Sequence, residues 1–343
     1  MERIDSHRLI MALLFLLPVL TLCYLSFGPS IISPLRLFGN PESIELAREQ
    51  VILSAIRLPR ALMAILVGAS LAVCGAVMQG LFRNPLADPS LIGVSSGASA
   101  GASFMIVFGA SILQGNQILG LSLVSLGAVL GAVLAVFLVY RLATNRYGTS
   151  VITMLLSGVA IGAVASALNN LFTYFADSVM LRRISVWEMG NLEGASWERV
   201  LLMAIAALVL LWRVPRYRQA LNAFLLGESE ARYLGIDVEW VKKELIIITA
   251  FAVGVSVVVV GNIAFVGLVV PHILRGAIGP DHRYLIPATA LAGAILLLLA
   301  DMAARTIIAP AELPAGILTA LVGAPVFFTL LVKSRSLNNP ERL

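Results

Sequence analysis

The chain has 343 residues, of which 59% are hydrophobic and only 13% are charged. Its mean hydropathy is +0.94, whereas a soluble domain usually carries about 25% charged residues. The composition therefore excludes an ordinary soluble domain and predicts an all-α protein that crosses a lipid bilayer several times. The net charge is +5, but the basic residues stand singly or in pairs between apolar runs. That distribution is typical of membrane-flanking loops, so we expect contact with lipid and no nucleic-acid partner.

Ten apolar runs along the chain are candidate transmembrane helices. A helix needs about 20 residues to cross the ~30 Å hydrocarbon core of a bilayer. Several of the runs are shorter, so we expect those to be tilted or enclosed by protein. Together they predict a polytopic membrane protein with about ten spans in one domain over residues 1–343. The runs cover residues 9–27, 61–82, 91–110, 118–140, 151–175, 198–212, 245–261, 263–278, 285–301 and 315–332.

The basic residues predict which side of the membrane each loop faces. With a cytoplasmic N-terminus, 16 of the 24 lysines and arginines fall in cytoplasmic segments, which include the charged stretch 213–243. Cytoplasmic loops are enriched in these residues, so both termini are predicted to be cytoplasmic. The arginines left outside need another explanation. They are Arg36, Arg48, Arg57, Arg60, Arg182, Arg183, Arg199 and Arg305.

Local signals predict where individual helices begin and how they pack. Asn40-Pro41 predicts the start of an extracytoplasmic helix over residues 40–57, with an apolar stripe that would lie on the membrane or on the protein. Asp88-Pro89 is typical of an N-cap followed by proline at the first helical position, so we expect the third helix to start there. Glycines spaced four residues apart predict close helix packing. These are Gly93, Gly97 and Gly101, then Gly127 and Gly131, then Gly158 and Gly162.

The chain lacks the sequence motifs of an ATPase or a hydrolase. A P-loop needs Gly-Lys followed by Ser or Thr, but only Lys333 precedes a serine, and Val332 stands before it. The stretch Gly93–Gly97 matches GxSxG, yet it lies in an apolar helix rather than on a strand-to-helix elbow. We therefore expect no catalytic residue, and the lack of a Cys/His ligand pattern predicts no metal site.

The polar stretch 213–243 admits two interpretations. It is either a solvated connector or a docking element for a cytoplasmic partner. Glu228 and Arg232 are spaced to pair on a short helix, and Gly235 can end that helix in the left-handed region.

The fifth run also admits two interpretations. Asn169 and Asn170 stand within the apolar residues 151–175, where an amide needs a polar partner or water. Together with Phe172 and Tyr174 they either line a pathway or bond to a neighbouring helix.

Three strings of sequence carry a resemblance to a known family. They are residues 57–98, which begin RLPR and end GVSSGA, residues 225–236 (LLGESEARYLGI), and residues 261–328. As a set they resemble the FecCD-type permease subunits of bacterial ABC importers for ferric siderophores, haem and cobalamin. The resemblance implies the ten-helix architecture of the cobalamin permease and two copies of the chain around a central path. It also implies two cytoplasmic ATPase subunits that bind ATP, a periplasmic binding protein, the bacterial inner membrane, and no permanently bound cofactor.

The same resemblance implies roles for individual residues. Arg57, Arg60 and Arg305 resemble arginines that meet acidic residues of the binding protein. Thr149 and Ser150 match the position of the cytoplasmic gate. Residues that would couple the permease to the ATPase lie within 213–243, and they are Leu226, Gly227, Glu228, Ala231, Arg232 and Gly235.

The cargo is predicted less directly. The stretch WEMGNLEGASW at 187–197 resembles haem permeases more than siderophore permeases, so we expect haem as the transported substrate. A ferric siderophore and then cobalamin are the alternatives. A stand-alone secondary transporter is a remote alternative, because acidic residues at mid-membrane would be expected in such a protein and here they stand near span ends.

Overall fold

The computed structural model describes residues 4–28, 30–38, 43–109, 123–146 and 148–337, and these residues are mostly helical. A short antiparallel hairpin pairs β1 (Thr144–Asn145) with β2 (Gly148–Thr149). The helices are α1 Ser6–Ser26, α2 Ile44–Val51, α3 Leu58–Leu81, α4 Val94–Phe108, α5 Leu123–Ala143, α6 Val151–Phe175, α7 Ser178–Glu188, α8 Trp197–Arg213, α9 Arg218–Phe224, α10 Glu228–Tyr233, α11 Val238–Val260, α12 Val266–Ile278, α13 His282–Thr306 and α14 Ala315–Leu337.

The predicted all-α membrane fold is confirmed. Seven helical stretches of the described residues are long and apolar enough to cross a bilayer. Three shorter apolar stretches, in α4, α12 and the first part of α14, coincide with the remaining predicted spans. Two of these, α4 and α12, have 15 and 13 residues, which is too few for a perpendicular crossing of the whole bilayer.

Helix α3 is the centre of the bundle. Nearly all its residues are buried, and it contacts α8, α11, α12 and α13. Two close crossings depend on glycine: Gly68 meets Gly293 of α13, and Gly75 meets Gly267 of α12. In a bilayer apolar burial gives no net drive for helix association, so such close backbone approach is a main source of packing energy.

The predicted glycine packing faces of α4 and α5 are confirmed. Gly97 packs on the backbone of Gly131, and Gly101 packs on that of Gly127. A Cβ atom at any of these four positions would overlap backbone or side-chain atoms of the opposing helix.

The ends of the helices lie in two layers, one on each side of the bundle. At one end the Trp197 indole donates to the carbonyl of Ser54, 3.2 Å away, which joins α8 to the turn after α2. At the other end Asn222 donates to Asp281 over 2.8 Å, which joins α9 to the start of α13. We call these layers the α2 end and the α10 end.

The helix predicted over residues 40–57 has different bounds. Residues 40–42 lie outside the described part of the chain, and α2 starts at Ile44 with the Ser43 hydroxyl accepting from the Leu46 amide. A turn of π-helix over Ile52–Arg57 then leads directly into α3. The expected separate helix is therefore the first part of one continuous helical run from Ile44 to Leu81.

The third predicted span starts later than its proline suggested. Asp88 caps a short 3₁₀ turn over Pro89–Ile92, and its carboxylate accepts from the Ser90 amide at 2.8 Å. Gly93 then adopts a left-handed conformation with φ +80°, which re-aims the chain before α4 begins at Val94. A Cβ at Gly267, near the start of α12, would meet both Pro89 and the Leu71 carbonyl. Both half-length helices therefore begin beside the middle of α3.

Candidate docking, gating and coupling sites

A buried cluster of charged residues joins three helices at the α2 end. Its centre is Asp301 of α13, which is fully buried. The Asp301 carboxylate accepts from the Tyr24 hydroxyl at 2.5 Å and from Arg60 Nε and Nη2 at 2.9 and 2.8 Å. Arg305 lies one turn further along α13, and its guanidinium covers the Tyr24 ring at 4.0 Å from the centroid. The cluster ties α1 and α3 to α13.

Two further residues extend this cluster towards the surface. Arg60 Nη1 donates to Glu312 at 2.7 Å, and the Glu312 side chain is 27% exposed. Arg57 donates to the carbonyls of Leu25 and Ser30 at 2.7 and 2.5 Å. We define the outer charge cluster as Tyr24, Arg57, Arg60, Asp301, Arg305 and Glu312. Its three guanidinium groups and two carboxylates leave a surplus of one positive charge.

The structure places the predicted docking arginines differently from the expectation. Arg57, Arg60 and Arg305 are only 3–4% exposed. Their guanidinium groups point inward, to carboxylates, carbonyls and an aromatic ring, and do not form a free basic surface. Direct contact with a binding protein through these arginines therefore stays a prediction. In this conformation Glu312 is the most accessible charged group of the cluster.

The predicted gate residues lie at the α10 end, on the hairpin between α5 and α6. We call the described residues 144–146 and 148–149 the gate hairpin. Thr149 is buried, and its hydroxyl lies 3.1 Å from that of Thr144 on the opposing strand. Ser150 is exposed and caps α6, with its hydroxyl accepting from the Thr153 amide at 3.3 Å. The two neighbours thus have different local functions, one in the hairpin and the other at the helix start.

The predicted coupling residues lie in α10 or directly before and after it. Gly227 has φ +141° and Gly235 has φ +82°, so glycine precedes and follows the helix at backbone angles that other residues rarely adopt. The left-handed stop predicted at Gly235 is thereby confirmed. Ala231 is buried against the bundle. The outward face carries large apolar side chains, and these are Leu226, Tyr233 and Leu234.

The structure corrects two expectations for residues 213–243. Residues at both ends of the segment belong to the long helices α8 and α11, so the connector is the shorter stretch 214–237. Glu228 and Arg232 do not pair with each other. Arg232 instead pairs with Glu239 at 3.1 Å and Glu228 with Lys242 at 3.0 Å, because α11 packs beside α10 and presents these two side chains to it.

Lys242 connects the gate hairpin to α10, and the sequence patterns did not single it out. Its side chain is 3% exposed. The ammonium donates to the Thr149 carbonyl at 2.8 Å and lies 3.0 Å from both Glu228 and Glu239. The available signal was composition: three lysines occur in the whole chain, and two of them, Lys242 and Lys243, stand side by side near the start of an apolar helix.

A polar cavity of about 420 Å³ lies beside the start of α4. Asn169 lines it and donates to Glu188 at 2.6 Å. Buried polar surface within a membrane protein is costly, so a cavity lined in this way is a candidate for a solvated or cargo-contacting region. Its polar lining includes Asp88, Ser95, Ser99, Ser166, Asn169 and Glu188.

The other residues predicted to line a pathway do not reach this cavity. Asn170 faces outward from α6. Phe172 packs in an aromatic group with Phe104 and Phe108, at ring separations of 5.5 and 5.9 Å. Tyr174 is 83% exposed. Successive helix positions point about 100° apart, so the four residues cannot share one face.

No group of three or more His, Cys, Asp or Glu side chains suited to a metal ion occurs within the residues that the structure describes.

Comparison with known proteins decides the family. The model of the FecCD transport family matches residues 15–333. The chain belongs to the FecCD transport family. It is a membrane permease subunit of the ABC importer type, as the resemblance of the three strings implied.

Relatives cover most of this FecCD permease. The hemin transport system permease protein of Yersinia pestis is 44% identical over 282 residues, which are 82% of this chain and 83% of that protein. The vitamin B12 import system permease protein of Salmonella newport is 46% identical over 288 residues, 84% of this chain and 86% of that protein. The two similarities are nearly equal, so they do not separate the two cargoes.

Solved structures support the same fold. One described as an inward-facing conformation of a metal-chelate type ABC transporter matches with a TM-score of 0.82 and 32% identity, over 95% of this chain and 99% of that one. PsaBC from Streptococcus pneumoniae, solved with a Fab, matches with a TM-score of 0.51 and 18% identity, over 79% and 88% of the two chains. The second match shows the fold alone.

Proposed function

We propose that this FecCD permease imports a metal–tetrapyrrole, with haem as the first candidate, from a periplasmic binding protein across the bacterial inner membrane. The observation that carries the proposal is the near-equal similarity to permeases named for hemin and for vitamin B12. Haem and B12 differ in shape and side groups, but in both a metal ion is held by the four nitrogen atoms of a large tetrapyrrole-type ring. Cobalamin is therefore one alternative, and a ferric siderophore is another because a structural relative is described as of metal-chelate type.

The partners follow from the absence of a nucleotide site in the sequence. One ATPase subunit would dock on α10 of each permease copy, where the exposed Leu226, Tyr233 and Leu234 form an apolar face that no other described residues cover. This face favours a docking element over a solvated connector. The α10 end is then cytoplasmic, together with both termini, and the α2 end faces the periplasm, in agreement with the distribution of basic residues.

A second copy of the chain would complete the path. Asn170 faces outward from a membrane helix, and an exposed amide in a bilayer calls for a protein or water partner. A homodimer with α6 near its two-fold axis would place Asn170 and Tyr174 towards the shared path, and the cavity beside Asn169 would open to its side. Two-fold assembly is the commonest symmetry for one gene product.

Transport would proceed by alternating access. ATP binding in the partner subunits would shift α10, and the gate hairpin would open or close the cytoplasmic end of the path. The permease performs no bond chemistry of its own. The permease contributes contacts to its partners and cargo that differ between the outward-open and inward-open states. Such a difference is required, because a ligand shifts a conformational equilibrium only by its difference in affinity for the two states.

Reconstituted uptake tests this function directly. The permease, its cognate ATPase and its binding protein are placed in liposomes, and ATP-dependent accumulation of hemin, cobalamin and a ferric siderophore is measured. We expect ATP-dependent accumulation, with hemin taken up at the highest kcat/KM. Uptake without any ATPase would instead support a secondary transporter, and preference for a siderophore would overturn the tetrapyrrole assignment.

The outer charge cluster makes a prediction about docking. We propose that its surplus positive charge attracts acidic residues of the binding protein, although the arginines themselves are buried. Glu312→Gln raises the surplus from one charge to two and is expected to increase the association rate with the binding protein by up to about fivefold. That factor corresponds to the ~1 kcal/mol of attraction between unit charges at 4 Å in water. Surface plasmon resonance on the nanodisc-embedded importer measures it.

A matched variant controls this docking prediction. Glu45→Gln makes the same change of charge on α2, outside the cluster. We expect a smaller effect from it, and we expect the Glu312→Gln increase to disappear in 0.5 M salt because the Debye length falls well below 8 Å. Equal association rates for the two variants and the unmodified importer would show that the cluster serves folding and not docking.

A further inference from the structure

We propose that Lys242 is a positioning residue that fastens the gate hairpin to α10, so that a displacement of α10 moves Thr149 with it. The inference rests on the proposed function, in which α10 contacts the ATPase and the hairpin forms the gate. It adds the physical connection between these two elements. They are far apart in sequence, since Thr149 and Glu228 stand 79 positions apart.

The ammonium group of Lys242 has acceptors on three different elements. It donates to the Thr149 carbonyl of β2 at 2.8 Å and to Glu228 of α10 at 3.0 Å. Glu239, one turn earlier on α11, lies 3.0 Å away. An ammonium has three protons, so these acceptors satisfy it completely. A movement of α10 that carries Glu228 along therefore pulls on a group that also holds the gate.

Glu239 provides a second connection parallel to the first. One carboxylate oxygen accepts from the Thr149 amide at 2.8 Å, and the other pairs with Arg232 of α10 at 3.1 Å. Gly148 has φ +117°, and a Cβ atom there would overlap the Glu239 carboxyl group. Both backbone polar groups of Thr149 are thus held by α11 side chains that also hold α10.

Burial strengthens this connection and distinguishes it from a surface ion pair. Lys242 is 3% exposed, while both carboxylates are about one-third exposed. A charge-assisted hydrogen bond at a buried ammonium is stronger than an exposed pair, whose contribution is usually small. An apolar side chain could fill such a position at comparable stability. Stability alone therefore does not account for an ammonium here, whereas a directional tie between two moving elements does.

A cysteine reporter on the gate hairpin tests the proposal in the assembled importer. Cys23 and Cys74 are replaced by alanine, and the exposed Arg146 in the hairpin turn is replaced by cysteine. Labelling by a membrane-impermeant maleimide from the cytoplasmic side is measured with and without ATP and vanadate. ATPase activity and uptake are measured on the same preparations.

Lys242→Met is expected to reduce the ATP-dependent change in labelling while ATP hydrolysis continues, since only the Glu239 connection between α10 and Thr149 is then left. Uptake per ATP hydrolysed should fall between about 5- and 150-fold, the range of typical coupling between sites. The control is Lys243→Met, which removes the neighbouring lysine from an exposed position. It should leave the ATP-dependent labelling change and the uptake per ATP hydrolysed unchanged. Lys242→Arg should restore part of the coupling, since a guanidinium also donates to several acceptors.

The outcomes separate this inference from the proposed function. If Lys242→Met keeps the ATP-dependent labelling change and the uptake-to-ATP ratio of Lys243→Met, the inference is overturned. If the parent chain with Lys242 shows no ATP-dependent uptake although the ATPase is bound, the proposed function fails instead. If Lys242→Met does not fold, Glu228→Gln weakens only the α10 side of the tie and should lower the same ratio. An unchanged ratio there also overturns the inference.

Discussion

Replacing Asp301 by asparagine is expected to lower the free energy of unfolding by about 3–5 kcal/mol, the usual cost of removing one partner from a buried ion pair. Asp301 is fully buried and is hydrogen-bonded to Tyr24 and Arg60, with Arg305 3.5 Å away. Asparagine has nearly the same volume, so the packing is kept, while Arg305 loses its carboxylate neighbour and Arg60 retains only the partly exposed Glu312. Unfolding of the purified permease, followed in detergent by circular dichroism, measures the loss.

Glu312→Gln is the matched control for this substitution. It also removes one negative charge from the outer charge cluster, but Glu312 is 27% exposed and pairs only with one end of Arg60. Water screens a partly exposed pair, so we expect a loss of at most about 1 kcal/mol. If both variants unfold at the same temperature, the buried carboxylate does not hold α1 and α3 to α13, and the structural interpretation of the cluster is wrong.

Replacing Gly75 by alanine is expected to destabilise the permease by about 1–3 kcal/mol or more, as overpacking of a dense core does. A Cβ atom at Gly75 would overlap the backbone carbonyl of Gly267. Backbone cannot move aside as a flexible side chain does, so α3 and α12 would have to separate. Thermal unfolding measures the cost, and ATP-dependent uptake should fall with it because both half-length helices begin beside this crossing.

Gly276→Ala is the control for the glycine prediction. Gly276 lies on α12 as well, but nothing stands within 4 Å of a Cβ atom built there. Alanine is a better helix former than glycine by roughly 1 kcal/mol in soluble hosts, so we expect no loss of stability and a small gain. Equal losses for Gly75→Ala and Gly276→Ala would mean that the α3–α12 crossing is looser than the structure shows.

Local helix packing and helix ends could be predicted from the sequence, whereas the contacts between the gate hairpin and α10 could not. Helix–helix packing at Gly97 and Gly101 was predictable, because four-residue spacing puts small residues on one helix face. The left-handed stop at Gly235 was predictable for a similar reason, since the signal lies within one turn of chain. The pairing of Glu228 was not. Arg232, four residues further along α10, has the spacing of a helical ion pair with Glu228. Glu228 instead pairs with Lys242, because α11 lies beside α10.

The membrane fold, the positions of the ten apolar helical stretches and the family could be predicted from the sequence. Each of these depends on signals within one contiguous stretch of chain: the length of an apolar run, the charges beside it, and strings such as RLPR and LLGESEARYLGI. The tertiary structure alone decided which charges are buried, that α4 and α12 begin beside the middle of α3, and that Lys242 lies between the gate hairpin and α10. These features join residues up to 281 positions apart, as Tyr24 and Arg305 are. Such contacts depend on how whole helices cross, and crossing geometry is set by packing that no single stretch of sequence contains.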